Sequence, residues 1–281
     1  VQTASILPAY LSQHCEMITY RFKYKKTMPH EKKMVRKKQE APYMRKHMIH
    51  PSLYAYEFME LTPYKTYVYA LQRDDKVYII DTFCGSTFMD IIKADYPGKD
   101  FVVINTHYHF DHIWGNYSFS HCPIYAHQLC KTMIQRHGIR ELQEQKKYFQ
   151  GTQTLTLPNH CFDGKQLQMA DGLQLLYTPG HTLDGISVYD QTLNALFVGD
   201  TLEKPLIQIE GSSLSEYRQT LEYFLTLPVT HFYAGHTLQL TKADVRDTLA
   251  YIHALSGNEA MQFDSEETQG IHSMNLNARK Q

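Results

Sequence analysis

Four potential metal ligands stand within six residues, directly after a short apolar run. The run Phe101–Asn105 has the continuous apolar character of a strand that is buried on both faces. The four side chains that follow it are His107, His109, Asp111 and His112. Imidazole nitrogen and carboxylate oxygen are the ligand types of zinc and other first-row divalent ions. Packing alone rarely produces such a density, so the segment predicts a metal-binding loop whose base is anchored in the core.

Three further candidate ligands follow other predicted strands, each after a glycine. They are His181, Asp200 and His236. Because the candidate ligands are spread over about 130 positions, they can meet only if both halves of the sequence share one core. The pattern therefore predicts a single domain in which several strands end at the same edge.

The rest of the sequence predicts a layered α/β fold. Short runs rich in Tyr, Val and Ile predict strands, at Ser52–Glu57, Thr66–Gln72, Lys76–Asp81, Phe101–Asn105, Gln166–Met169, Leu173–Thr178, Ile186–Asp190, Ala195–Val198 and His231–Ala234. Helical apolar spacing predicts helices at Thr87–Asp95, 126–137, 139–149, Leu214–Leu227 and from a capping box at Thr241 to about Leu255. Strands followed by helices, twice over, favour this architecture over an all-β sandwich.

The charge distribution divides the chain into three segments. Residues 1–50 are expected to form a basic arm, because residues 1–46 hold 11 Lys and Arg against 3 Glu. Residues 51–256 are expected to form the domain, and residues 257–281 a loose polar tail. The net charge of −1 gives the whole chain no field suited to nucleic acid. The arm is instead a candidate for self-association or for contact with an anionic surface.

The cysteines and the apolar runs bear on the compartment. Five scattered cysteines without a C-x-x-C pair argue against a disulfide framework and favour a reducing compartment such as the cytoplasm. The longest apolar runs, Val77–Ile80 and Phe101–Ile104, are far shorter than the roughly 20 residues that cross a bilayer. We therefore expect no membrane span. Since the sequence starts at Val1, processing or trimming of the N-terminus stays open.

The ordered set of candidate ligands resembles the metallo-β-lactamase superfamily over about residues 53–255. The resemblance implies an αββα sandwich, with two sheets face to face and helices outside. It also implies two divalent metal ions, with zinc ahead of iron or manganese. It assigns His107, His109 and His181 to one metal and Asp111, His112 and His236 to the second, with Asp200 bridging both.

The same resemblance implies a hydrolase that acts on a small molecule. A hydroxide that bridges the metals would attack an ester, thioester, lactone or related acyl bond, since metal ions lower the pKa of bound water to about 7. Asp111 and Asp200 would be the catalytic residues, with Asp111 orienting the hydroxide and moving its proton. Asp81, at a strand end, either orients the metal loop or caps its own turn. Cys84 is expected to be a buried packing residue.

Departures from known subfamilies narrow the substrate. Asp200 stands where many zinc β-lactamases carry Cys or Ser, which argues against antibiotic hydrolysis. Residues 197–202 are similar to hydroxyacylglutathione hydrolases, but Glu203–Ser213 lacks their basic and aromatic signature. Acyl-homoserine lactone hydrolases carry a tyrosine three residues beyond the bridging aspartate, where this sequence has Glu203.

Two alternatives within the superfamily stay open. A mononuclear iron persulfide dioxygenase would use only His107, His181 and Asp200, although its Gly-Arg-Thr-Asp run is absent. The basic arm suggests a nuclease, but the acidic charge of the rest of the chain argues against one.

Overall fold

Two β-sheets pack face to face in the computed structural model, which describes residues 44–278. The strands of the seven-stranded sheet, in order across it, are β1 (Met44–His50), β2 (Leu53–Phe58), β3 (Thr66–Gln72), β4 (Lys76–Ile80), β5 (Asp100–Ile104), β6 (Ile124–His127) and β7 (His160–Phe162). Those of the five-stranded sheet are β8 (Gln166–Gln168), β9 (Leu173–Tyr177), β10 (Ile186–Asp190), β11 (Ala195–Gly199) and β12 (His231–Ala234).

Helices cover the outer surfaces of both sheets. They are α1 (Ser86–Ala94), α2 (Phe110–Ile113), α3 (Gln128–Glu144), α4 (Leu214–Thr226), α5 (Lys242–Gly257) and α6 (Glu266–Ala278). Two of them begin with capping boxes, in which Ser213 and Thr241 exchange hydrogen bonds with the acidic residue three positions later. The arrangement is an αββα sandwich, which confirms the predicted fold class.

Three apolar layers hold the sandwich together. Between the sheets, the ring of Tyr69 contacts those of Phe197 and Tyr233, with centroids 5.1 and 5.7 Å away. On the outer face of the seven-stranded sheet, Phe58 and Phe83 stack at 4.6 Å. Helices α4 and α5 cover the other outer face. Each fully buried side chain of this kind contributes about 1.5–3 kcal/mol.

Strand direction explains why one edge of the sandwich collects polar loops. Both β9 and β11 run antiparallel to β10, and β11 runs parallel to β12, so β9, β11 and β12 all end at the same edge. Among the hydrogen bonds that join the sheets there are two between backbone groups. Ile186 N donates to Thr106 O at 2.9 Å, and Tyr67 N donates to Gly235 O at 2.7 Å. The loop after β5 therefore faces the ends of the other three strands.

The region between β6 and β7 differs from the sequence prediction. One helix, α3, replaces the two predicted at 126–137 and 139–149. Gly138 does not break this helix. A Cβ at this position would lie only 2.9 Å from the side chain of Leu155, so the glycine leaves the room that Leu155 occupies. Strands β6 and β7 were not predicted, because the helix predicted at 126–137 overlaps β6 and because β7 has no Tyr, Val or Ile.

Regular structure also occurs beyond both predicted ends of the domain. Residues 44–50 form β1, paired with β2, and so extend the sheet into the segment assigned to the arm. The tail is not loose throughout, because α6 buries Ile271, His272 and Asn275. Its few apolar residues gave no clear helical pattern, and it is held instead by buried polar contacts. The rest of the arm lies outside the described residues, and the division into arm, domain and tail stays a prediction.

Over residues 44–278, no helix is long and apolar enough to cross a membrane.

Candidate metal centre

The seven side chains predicted as ligands converge at the edge where the strands end. His107 and His109 lie in the loop after β5, and Asp111 and His112 lie in α2. The other three follow β9, β11 and β12, and are His181, Asp200 and His236. They form two clusters. One contains His107, His109, His181 and Asp200, and the other contains Asp111, His112 and His236, with potential ligand atoms in each within 4.8 Å of one another.

Three imidazole nitrogens meet in the first cluster. Nδ1 of His109 lies 3.1 Å from Nε2 of His107 and 3.0 Å from Nε2 of His181. Nitrogens that share a tetrahedral zinc ion lie about 3.3 Å apart when each bond is about 2.05 Å. The spacing in this cluster is therefore close to that of a tetrahedral site.

In each of these rings, the contact of the outer nitrogen indicates where the N–H lies, and therefore whether the inner nitrogen has a lone pair. The Thr106 hydroxyl donates to Asp81 at 2.7 Å, so it can only accept from Nδ1 of His107, 3.1 Å away. Nδ1 of His181 donates to Gln208 O at 2.7 Å, and Nε2 of His109 faces Glu210 Oε2 at 3.3 Å. A neutral imidazole has only one N–H. When all three rings are neutral, as metal binding requires, the three inward nitrogens present lone pairs to one another, an arrangement that a cation stabilises.

The second cluster combines two histidines with the carboxylate of Asp111, and the carboxylate of Asp200 lies beside them. Oδ2 of Asp111 lies 3.3 Å from Nε2 of His236 and 3.7 Å from Nε2 of His112. The outer nitrogens are again occupied, since Nδ1 of His236 donates to Lys65 O at 2.7 Å and Nδ1 of His112 donates to Asp81 at 2.8 Å. Both Nε2 atoms therefore point toward the carboxylates.

Asp200 faces both clusters. Its Oδ2 lies 3.7 Å from Nε2 of His107 and 3.2 Å from Nε2 of His236. Its Oδ1 lies 3.3 Å from Nε2 of His112, yet neither of these two buried atoms has a hydrogen-bond partner among the described residues. Buried polar atoms normally have a partner. Potential ligand atoms that lie at this spacing without a hydrogen-bond partner fit a bound divalent cation.

The electrostatics of the second cluster favour positive charge. Burial acts to lower the pKa of His112, but Asp200, Asp111 and Asp81 outweigh it and raise that pKa well above its usual value. Burial likewise acts to raise the pKa of Asp200, but His112 and His236 hold it well below its usual range. The same carboxylates that favour a proton on these rings would stabilise a metal ion.

Two carboxylates beside the clusters extend this acidic character. Burial acts to lower the pKa of His109, but Glu210 raises it to about 9. Glu203 has a carboxylate oxygen within 4.8 Å of ligand atoms of Asp200 and His236, and burial raises its pKa to about 8. Its Oε1 is buried and unpaired in the part of the chain that the structure describes.

Glycines at two strand ends allow the close approach of these side chains. Gly199 has a φ of +52°, and a Cβ there would lie 2.8 Å from the Cβ of Thr106. At Gly235 an added Cβ would overlap Asp200 Oδ1 and lie 2.7 Å from Cε1 of His112. Each position thus requires glycine for a steric reason.

The sequence did not reveal every residue at the site. Of the two roles considered for Asp81, the structure supports orientation of the metal loop, and Cys84 is a fully buried packing residue as expected. The contacts from Lys65, Gln208 and Glu210 were missed. Two of them are backbone carbonyls, which carry no sequence signal, and Glu210 lies in a loop without a recognisable motif.

Comparison with solved structures supports the fold. A metallo-β-lactamase from Hirschia baltica superimposes with a TM-score of 0.61 at 19% identity, covering 74% of this chain and 97% of that one. The metallo-β-lactamase TMB-1 gives a TM-score of 0.62 at 16% identity, covering 76% of this chain and 99% of that one. At these identities the likeness concerns the fold alone.

Comparison of sequences identifies relatives and the family. An N-acyl homoserine lactonase from Bacillus cereus is 33% identical over 91 residues, which are 32% of this chain and 33% of that protein. The chain thus spans about a third of the length of this relative. The model of the metallo-beta-lactamase superfamily matches residues 61–236, more than half of the chain. This match, together with the sandwich that places the His and Asp clusters at one edge, shows that the protein belongs to the metallo-β-lactamase superfamily.

Proposed function

We propose that this protein is a dinuclear metal-dependent hydrolase that cleaves an ester, thioester or lactone bond in a small molecule. The observation that carries the proposal is the position of Asp200, whose Oδ2 lies between the two clusters, 3.7 Å from Nε2 of His107 and 3.2 Å from Nε2 of His236. A carboxylate so placed can hold two cations at a short, constant separation. Its side chain is only 8% exposed, so water competes little for its charge.

The donor sets suggest how the metals would be held. His107, His109 and His181 would hold one ion, Asp111, His112 and His236 would hold the other, and Asp200 would contact both. Nitrogen and carboxylate donors without thiolate suit zinc, and also iron or manganese. When bound, such a pair supplies an activated water molecule as the nucleophile and polarises the carbonyl oxygen of the substrate.

The protein's own side chains orient the reactants and carry the proton. Asp111 lies 3.3 Å from Nε2 of His236, and its carboxylate can accept the proton that the attacking water gives up. Asp200 keeps the two clusters at a constant separation. Asp81 prevents the ring of His112 from turning, because it accepts the Nδ1–H while Nε2 faces the centre.

The charge beside the centre favours an acyl substrate over a nucleic acid. Burial acts to raise the pKa of Glu210, but His109 lowers it to about 2, so this carboxylate is charged at neutral pH and would repel a polyanionic backbone. The similarity to an N-acyl homoserine lactonase also supports an acyl or lactone substrate. A complete second cluster, which a mononuclear iron dioxygenase does not need, supports the dinuclear assignment.

A metal count combined with a substrate panel tests the proposal. The full chain is stripped with a chelator, reloaded separately with zinc, manganese or iron, and assayed for bound metal and for hydrolysis of thioesters, lactones, aryl esters, β-lactams and phosphodiesters. We expect about two metals per chain and turnover of one acyl class, with the stripped protein inactive. One iron per chain with oxygen consumption, or turnover of phosphodiesters alone, would overturn the proposal.

A further inference from the structure

Helix α6 reaches the first cluster through one buried amide, that of Asn275. The side chain is 0% exposed. Its Oδ1 accepts from Ile209 N at 2.9 Å, and its Nδ2 donates to Ile207 O at 2.8 Å and to the Tyr251 hydroxyl at 3.0 Å. Because a backbone N–H can only donate and a carbonyl can only accept, the orientation of the amide is unambiguous.

The segment that Asn275 holds, residues 207–210, contacts two histidines of the first cluster on its other side. Gln208 O accepts from Nδ1 of His181 at 2.7 Å. Glu210 Oε2 faces Nε2 of His109 at 3.3 Å, and Glu210 N donates to His181 O at 2.6 Å. Asn275 bonds the residues immediately before and after Gln208, so it sets the position of that carbonyl.

The second cluster has no such connection to α6 in the described structure. The outer nitrogens of His112 and His236 bond Asp81 and Lys65, which belong to the seven-stranded side of the sandwich. Both outer contacts are therefore independent of the three bonds that Asn275 makes. A change at Asn275 would act on one cluster and spare the other.

We propose that Asn275 is a positioning residue for the metal site of His107, His109 and His181, so that the C-terminal helix sets the affinity of this site but not of its neighbour. The inference rests on the proposed two-metal function and adds to it a difference between the two sites. Removing an outer contact of a metal-bound histidine typically weakens metal binding by about 10–100-fold. Asn275 acts one bond further out, so the lower end of this range is expected.

Single-site backgrounds separate the two affinities. His236→Ala leaves the first site intact, and His109→Ala leaves the second. Each is combined with Asn275→Ala, and cobalt(II) binding is measured by competition with a chromophoric chelator and by the visible absorption of the bound ion. We expect Asn275→Ala to weaken binding by about tenfold and to alter the cobalt spectrum in the His236→Ala background only.

Two further variants distinguish positioning from simple support of the fold. Ile271→Ala removes a buried apolar side chain, 7% exposed, one turn earlier on the same helix, and leaves the bonds to residues 207–210 in place. It should leave both cobalt affinities unchanged. Tyr251→Phe removes one of the three partners of Asn275 without creating a cavity, and should weaken the first site by a smaller factor. It provides the test if Asn275→Ala does not fold.

The outcomes separate the inference from the function on which it rests. Three results would overturn the positioning role while leaving the two-metal function standing. Asn275→Ala could weaken both sites equally, or Ile271→Ala could weaken binding as much as Asn275→Ala does. Binding could also be unchanged in both the Asn275→Ala and Tyr251→Phe variants. A wild-type chain that binds fewer than two cobalt ions would instead overturn the proposed function, and the site difference with it.

Discussion

Nδ1 of His112 donates to Oδ2 of Asp81 at 2.8 Å, although the two residues lie 31 positions apart. The same carboxylate accepts from Thr106 N and from the Thr106 hydroxyl, each at 2.7 Å. The Thr106 hydroxyl in turn contacts His107. Asp81 thus orients one histidine of the second cluster directly and one of the first cluster through Thr106. A backbone φ of 62° at Asp81 directs the carboxylate toward this loop.

Replacement of Asp81 by asparagine should weaken metal binding by about 10–100-fold. Both oxygens of the Asp81 carboxylate accept hydrogen bonds, whereas asparagine would turn an NH2 donor toward one of these N–H or O–H groups, so the rings lose their orientation. Bound metal after equilibration with a weak chelator measures the effect. Asp171→Asn is the matched control, because Asp171 also has a positive φ and accepts from a tyrosine hydroxyl, that of Tyr78. Full metal content in Asp81→Asn would contradict the assigned role.

Gly235→Ala should impair metal binding although it replaces none of the seven candidate ligands. The added methyl group overlaps Asp200 Oδ1 and crowds Cε1 of His112, so the carboxylate must move away from the centre. Metal content and the thermal midpoint of metal-free and metal-loaded protein measure the result, and the loaded form should lose most of its extra stability. Gly270→Ala is the control, since an added Cβ there has no neighbour within 4 Å. Alanine in this helix should be neutral or stabilise by about 0.5–1 kcal/mol.

Asp200→Ala should reduce both metal content and turnover. The substitution removes a negative ligand that faces both clusters, and we expect turnover to fall by about 10³-fold or more as the nucleophile is lost. Asp200 follows a strand end and lies outside the apolar core, so the far-ultraviolet circular dichroism should be retained. Two metals per chain together with near-normal turnover in this variant would refute the bridging role.

Glu141 should make the stability of the protein fall as pH rises. Burial raises its pKa from 4.5 to about 7, so between these values the folded state binds more protons than the unfolded state. The free energy of unfolding therefore decreases with rising pH across this window. Glu141→Gln should remove this part of the decrease in urea unfolding of the metal-free protein. Glu144→Gln, at an exposed position on the same helix, is the matched control. Parallel profiles for all three proteins would contradict the prediction.

The sequence by itself determined the fold class and the set of candidate ligands. Both depend on short-range patterns, since a buried strand is recognisable from a run of apolar residues and a strand-end ligand follows it within a few positions. The His-x-His-x-Asp-His run after β5 and the glycines before Asp200 and His236 are signals of this kind. The capping box predicted at Thr241 is equally local, and it is present.

Only the tertiary structure decided what holds those ligands in place. His112 bonds Asp81 across 31 positions, His181 bonds Gln208 across 27, and Asn275 bonds Ile209 across 66. Such pairs have no spacing to recognise, and several of the acceptors are backbone carbonyls that every residue possesses. The burial of α6 could not be predicted either, because polar contacts such as those of Asn275 replace the apolar stripe that marks a packed helix. The ligand types are thus written in local sequence, while their orientation depends on contacts that exist only after the two sheets and their helices have packed together.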